Sequence, residues 1–204
     1  MDCFIRGGII AAITGGLLLA VGAFLPLLPP DYERFSDEVV TGLYGVSSAL
    51  RFTGTILIGW GLVAIYLRQA DRTGRFGLVA VIACLANLAL QEGWMFSDLF
   101  VAPAFAGSAP EILNGDTPGR LAAGFLAAWI ANTSFVLLGI ATLRARVLPK
   151  ACGIALIVAG GVTLLPLPVD GQAFEVIIGI AIAAAAASAI KDQAPAPPVP
   201  QHTS

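Results

Sequence analysis

Six stretches of 15 residues or more contain no Asp, Glu, Lys or Arg, and they constrain the fold more than any other feature. They are Gly7–Leu28, Phe52–Leu67, Phe76–Gln91, Leu121–Leu143, Ala151–Val169 and Val176–Ile190. A helix rises about 1.5 Å per residue and the hydrocarbon layer of a bilayer is roughly 30 Å thick, so about 20 apolar residues cross it. The first, fourth and fifth runs suffice alone. The second, third and sixth need one more turn each, which takes in Arg51, Glu92 and Glu175 at their ends. In lipid, only helices and closed barrels satisfy every backbone polar group. The runs are continuous, as in Ile178–Ile190, and lack the polar–apolar alternation of barrel strands. The sequence therefore predicts an all-α integral membrane protein, a six-transmembrane-helix bundle. It reads as one domain over 1–190, with helices near 7–28, 39–67, 76–94, 121–143, 151–168 and 172–190. A disordered Pro-rich tail, 191–204, follows. The first run, at 22 residues, exceeds the 7–15 apolar residues of a signal peptide and reads as a retained span.

Charge sets the expected orientation. Only 12% of residues are charged, about half the usual share of a soluble domain. Arg6, the cluster Arg68, Arg72 and Arg75, the cluster Arg144, Arg146 and Lys150, and Lys191 fall on one side of a six-span chain. Only Arg34, Arg51 and Arg120 fall on the other. The positive-inside rule then places both termini in the cytoplasm. Among the outer segments, the first is acidic, and Ser36 followed by Asp37 and Glu38 has the pattern of a helix start. The second helix is expected to begin there. The third outer segment, Glu92–Arg120, holds Trp94, Phe96, Phe100 and Phe105. It is expected to carry a short helix capped by Ser97 and to act as an interfacial anchor or a lid. In the fifth, Pro166 and Pro168 end one helix and Asp170 caps the next in a tight hairpin.

The inventory of reactive side chains is sparse. The single histidine, His202, lies in the tail, which removes imidazole-based haem, zinc and general-base chemistry from the fold. Cys3, Cys84 and Cys152 have no metal-ligand spacing and read as small buried hydrophobes. There is no phosphate-cradling loop, and a net charge of −2 argues against nucleic acid as a partner. No catalytic residue, metal ligand or cofactor site is expected. The expected partners are the bilayer, a second copy of the chain or another membrane protein. Small-xxx-small spacings, Ala11/Gly15, Ala12/Gly16, Ala155/Ala159 and Gly179/Ala183/Ala187, favour close helix contacts.

Two groups of polar residues are candidate sites, because buried polar groups in lipid are costly. Asn87 lies 12 residues past Arg75, and Asn132 lies 12 before Arg144. Both should sit at one depth near the midplane. With Gln91 and Thr133 they predict a polar stripe on the third and fourth helices, serving either as interhelical glue or as the wall of a small-molecule site. Arg51 and Glu92 are each 17 residues from an inner basic cluster, on successive antiparallel helices. They are expected to pair at the outer boundary, where Arg120 and Glu175 complete a cluster of two arginines and two carboxylates.

The segment Leu143-Arg144-Ala145-Arg146-Val147-Leu148-Pro149-Lys150 before a Gly-rich apolar helix, and Phe100-Val101-Ala102-Pro103-Ala104, resemble uncharacterised multi-pass inner-membrane proteins of high-GC bacteria, grouped in domain-of-unknown-function families. The resemblance spans roughly 51–190 and implies a bacterial cytoplasmic membrane. It implies no catalytic residue. The expected role is a non-enzymatic accessory, sensory or scaffold component. The alternative is a small-molecule or ion transporter or channel, or a lipid-binding protein with its polar site between helices three and four.

Overall fold

The computed structural model describes residues 2–28, 32–115, 124, 126–127, 130–164 and 171–191. Every regular element among them is helical. The chain runs as α1 (Asp2–Phe24), a 3₁₀ turn Leu25–Leu27, α2 (Phe35–Val39), α3 (Gly42–Phe96), a π-helical turn Ser97–Val101, α4 (Ala102–Ser108), α5 (Pro110–Asn114), α6 (Thr133–Ala145), α7 (Lys150–Gly161), a 3₁₀ turn Val162–Leu164 and α8 (Gly171–Lys191). Three stretches are long and apolar enough to cross a membrane: Cys3–Leu27, Gly42–Ser108 and Gly171–Ile190. α6 and α7 are apolar but shorter.

α3 is two antiparallel limbs, 42–73 and 75–96, joined at Gly74. Its φ of 57° and ψ of −151° lie in a region open essentially to glycine alone. The helices doubling back there come so close that a Cβ at Gly77 would collide with the Thr73 side chain. The inner loop expected over 68–75 is thus helical apart from one residue, because the reversal needs only a glycine.

The rods form a closed circuit. α1 packs on the first limb of α3 and on α8; α3 packs on α6, α6 on α7, and α7 on α8. Glycine contacts fix the directions. Gly8 faces Ala64, Gly15 faces Gly54 and Gly22 faces Ser47, so α1 and the first limb are antiparallel. Gly16 meets Gly179 and Ala183, while Gly179 meets Gly16 and Ala20, so α8 also runs against α1. Gly139 abuts Gly153, and Gly160 abuts Asn132, giving the same relation between α6 and α7. The shared core includes Ile9, Ile58, Leu62, Leu138, Leu156 and Ile182, all fully buried. The outside is apolar too: Ile10, Val21, Trp60, Val79 and Ile180 each expose more than half of their surface. A bundle with apolar side chains inside and out suits an apolar solvent, which associates the protein with a membrane.

Several local expectations change. Ser36 does not start the second helix. It lies inside α2, where its N–H donates to Asn114 Oδ1 at 3.0 Å and its hydroxyl accepts from Asn114 Nδ2 at 2.9 Å. The first limb of α3 starts instead at Gly42, and the Thr41 hydroxyl accepts from the Tyr44 N–H at 3.2 Å as its cap. Nor does Ser97 cap a separate helix. The helix runs on through the π turn into α4, because no proline intervenes before Pro103. α2, α4 and α5 then gather Val39, Tyr44 and Ala102 into a small satellite core. In the fourth expected span, Asn132 keeps a right-handed helical conformation, with φ of −59° and ψ of −21°, as a turn residue between helical residues 130–131 and α6. At its other end, Arg146 closes α6 in the left-handed conformation, with a φ of 54°. Cys84 and Cys152 are buried, whereas Cys3 is exposed on the first turn of α1. The Pro166–Pro168–Asp170 hairpin and the tail 192–204 lie outside the described residues.

Candidate functional site

The amides predicted to share one depth meet. Asn132 Oδ1 accepts from Asn87 Nδ2 at 2.9 Å and from Gln91 Nε2 at 2.7 Å, and Gln91 Nε2 also reaches Asn87 Oδ1 at 3.4 Å. Asn87 is 1% exposed and Asn132 is 8% exposed. Gln91 stands one turn above Asn87 on the second limb of α3, so both amides aim at the same carbonyl oxygen. Gly160 of α7 packs on the Asn132 backbone, which makes Asn132 a junction of three helices. Thr133, expected in the stripe, forms no hydrogen bond with these amides. It opens α6 one position past the turn, and the next residue, Ser134, is the one buried. The geometry offers each amide a partner inside the protein. In hydrocarbon such interhelical bonds contribute about 0.6–2 kcal/mol each. A double-mutant cycle of Asn87→Leu and Asn132→Leu is expected to give a coupling energy of about 1 kcal/mol. Unfolding by SDS titration in mixed micelles measures it, and a coupling near zero contradicts the pairing.

The charges expected at the outer boundary are arranged differently from the depth-based expectation. Arg51 does not pair with Glu92. Its Nε and Nη2 donate to Glu175 Oε2 and Oε1, both at 2.8 Å, and Nη1 donates to Asp98 Oδ2 at 3.4 Å. The forked contact with Glu175 matches the planar guanidinium to the carboxylate. Depth along a helix is readable from residue counts, but its direction around the axis is not. Arg51 shares the face of Ser47, Gly54 and Ile58, which meets α1, whereas Glu92 lies on the face of Leu85 and Leu88. To reach Glu175 on α8, the arginine stem crosses α1 at Gly22, where a Cβ would lie 2.8 Å from Arg51 Cγ. The Ser47 hydroxyl donates to the Gly22 carbonyl at 2.8 Å and holds the crossing together. Arg120 lies outside the described residues.

Reasoning on the sequence missed two members of this polar framework. Asp98 falls in the short helix expected after Ser97, and no role was expected of it; the structure places it in the π turn that continues α3. The absence of proline between Glu92 and Pro103 was the available signal that it continues the face of Gln91 and Met95. Gln69 falls in the inner loop expected over 68–75, yet it is buried, and its Nε2 donates to the Thr142 hydroxyl at 2.8 Å. At the same end, the Arg68 guanidinium donates to the Ala189 carbonyl, and Arg144 lies over the Phe76 ring at 5.3 Å.

Comparison with protein-family models, with curated proteins and with solved structures gives no match.

Proposed function

We propose that the protein is a six-span component of a bacterial cytoplasmic membrane, with both termini in the cytoplasm, and that it acts as a non-enzymatic accessory, sensory or scaffold subunit. One observation carries this reading. The midplane amides, the most plausible wall of a substrate path, hydrogen-bond to one another in a buried position. A transporter would need those groups open to water or substrate. The arginine fork between α3 and α8 and the glutamine link between α3 and α6 likewise hold helices together. The basic side chains gathered at one end of the circuit, Arg68 and Arg144 among them, support the cytoplasmic placement of that end.

Native mass spectrometry of the protein in mild detergent tests the proposal. The wild type and an Asn87→Leu/Asn132→Leu variant are expected to carry the same set of bound species. A small molecule bound to the wild type and lost from the variant would overturn the scaffold reading in favour of transport or ligand binding. Periplasmic activity of a phosphatase fused to the C-terminus would overturn the orientation.

A further inference from the structure

A groove of about 330 Å³ runs between the two limbs of α3. Thr55, Gly59 and Trp60 of the first limb, Leu88 and Glu92 of the second, and Phe4 of α1 are among its lining residues. Phe4 and Trp60 make an aromatic wall, with ring centroids 6.4 Å apart. Gly59 leaves its floor open: a Cβ there would meet only Leu88 Cδ1, at 3.7 Å. The Thr55 hydroxyl is occupied by the Arg51 carbonyl at 3.0 Å and Met95 Sδ at 3.2 Å. Glu92 is the exception in this apolar channel. Both of its carboxylate oxygens are shielded from solvent and neither has a hydrogen-bond partner. A carboxylate so placed in a membrane calls for a donor from outside the protein.

Size and depth narrow the occupant. The groove extends from Thr55 to Val63 along the first limb, eight residues or about 12 Å. A groove of about 330 Å³ over that length is too slight to seat a whole helix about 10–12 Å across, and is on the scale of a single hydrocarbon chain. Glu92 lies 17 residues past Arg75, about 26 Å from the basic inner end and so near the opposite surface. The groove therefore descends from a headgroup level, marked by Glu92, toward the bilayer centre.

We propose that this groove seats one acyl chain of an outer-leaflet phospholipid whose headgroup bears a primary ammonium, and that Glu92 turns from its shielded position to accept from that ammonium. A primary ammonium supplies the N–H donors that the two carboxylate oxygens lack. A quaternary choline headgroup has charge but no N–H, and a glycerol headgroup leaves the phosphate charge facing the carboxylate. The site is separate from the Asn87–Asn132 pair and goes beyond the scaffold reading.

The test is native mass spectrometry of the full chain released from nanodiscs made with equal parts phosphatidylethanolamine, phosphatidylcholine and phosphatidylglycerol. One phosphatidylethanolamine is expected to be retained per protein, about tenfold over either other lipid. Glu92→Gln is expected to erase that preference, since it removes the charge while keeping the shape. Gly59→Leu fills the floor and is expected to lose the lipid while Glu92 remains. The Asn87→Leu/Asn132→Leu variant should keep it, which separates this result from the test of function. Equal retention of the three lipids, or retention unchanged in Glu92→Gln, means ordinary annular lipid and overturns the proposal. A co-purifying polypeptide displaced by Glu92→Gln would overturn the choice of occupant.

Discussion

Replacing Arg51 with methionine is expected to destabilise the protein by about 3 kcal/mol. Arg51 is 6% exposed, and its guanidinium is held by two carboxylates from two other parts of the chain. Removing it leaves Glu175 and Asp98 facing one another without their shared cation. Breaking a buried pair from one side costs about 3–5 kcal/mol, because the abandoned charge stays desolvated. The lower end applies here, since the Glu175 side chain is 24% exposed and has some access to water or headgroups. Two companion variants identify the cause. Arg51→Lys keeps the charge but loses the fork, and should fall between wild type and methionine. The triple change Arg51→Met/Glu175→Gln/Asp98→Asn removes all three charges and should recover most of the loss. SDS-titration unfolding in mixed micelles reads all three. A triple variant no more stable than Arg51→Met would show that lost packing, not abandoned charge, carries the effect.

Gly16→Leu is expected to cost a similar amount, about 3 kcal/mol, at the upper end of the overpacking range. A Cβ at Gly16 would lie 2.5 Å from the Gly179 carbonyl oxygen and 2.9 Å from the Ala183 nitrogen, so the backbones themselves must separate. α1 has nowhere to go. The adjacent Gly15 is pressed on the other side against Gly54, where a Cβ would lie 2.5 Å from that carbonyl oxygen. Moving α1 away from α8 drives it into α3, and the Arg51 crossing over Gly22 moves with it. Gly7, with open space where its Cβ would be, is the control. Gly7→Ala should be neutral or stabilising by about 0.5–1 kcal/mol. Similar unfolding free energies for Gly16→Leu and Gly7→Ala would contradict the tight crossing of α1 and α8.

The Asn87–Asn132 contact was legible because two measures available in a sequence agree. Both residues are polar inside apolar runs, and both lie 12 residues from a basic cluster, the two clusters falling at the same end of the bundle. Depth alone located them, and their mutual bonding followed because an amide in lipid has few other partners. The same reasoning failed for Arg51 and Glu92. Their depths match, yet partner choice depended on which way each side chain points around its helix. The sequence contains no marker for that when every face of a helix is apolar. Equal depth predicts Glu92 as the partner of Arg51, whereas it lines an apolar groove with both carboxylate oxygens unpartnered.

What the sequence by itself determined is the class of the molecule. Its continuous apolar runs predict helices, and every regular element among the described residues is a helix, three of the stretches long enough to cross a membrane. Helix length and depth follow from one-dimensional quantities, the rise per residue and the thickness of the hydrocarbon layer. Only the tertiary structure decided how the rods are arranged about one another. It turned α3 back at a single glycine, set Gly15 against Gly54 and Gly16 against Gly179, and sent Arg51 across Gly22 to Glu175. Those choices depend on close backbone approach and on side-chain direction. Both arise when the helices pack, and neither is encoded in the local spacing of polar and apolar residues.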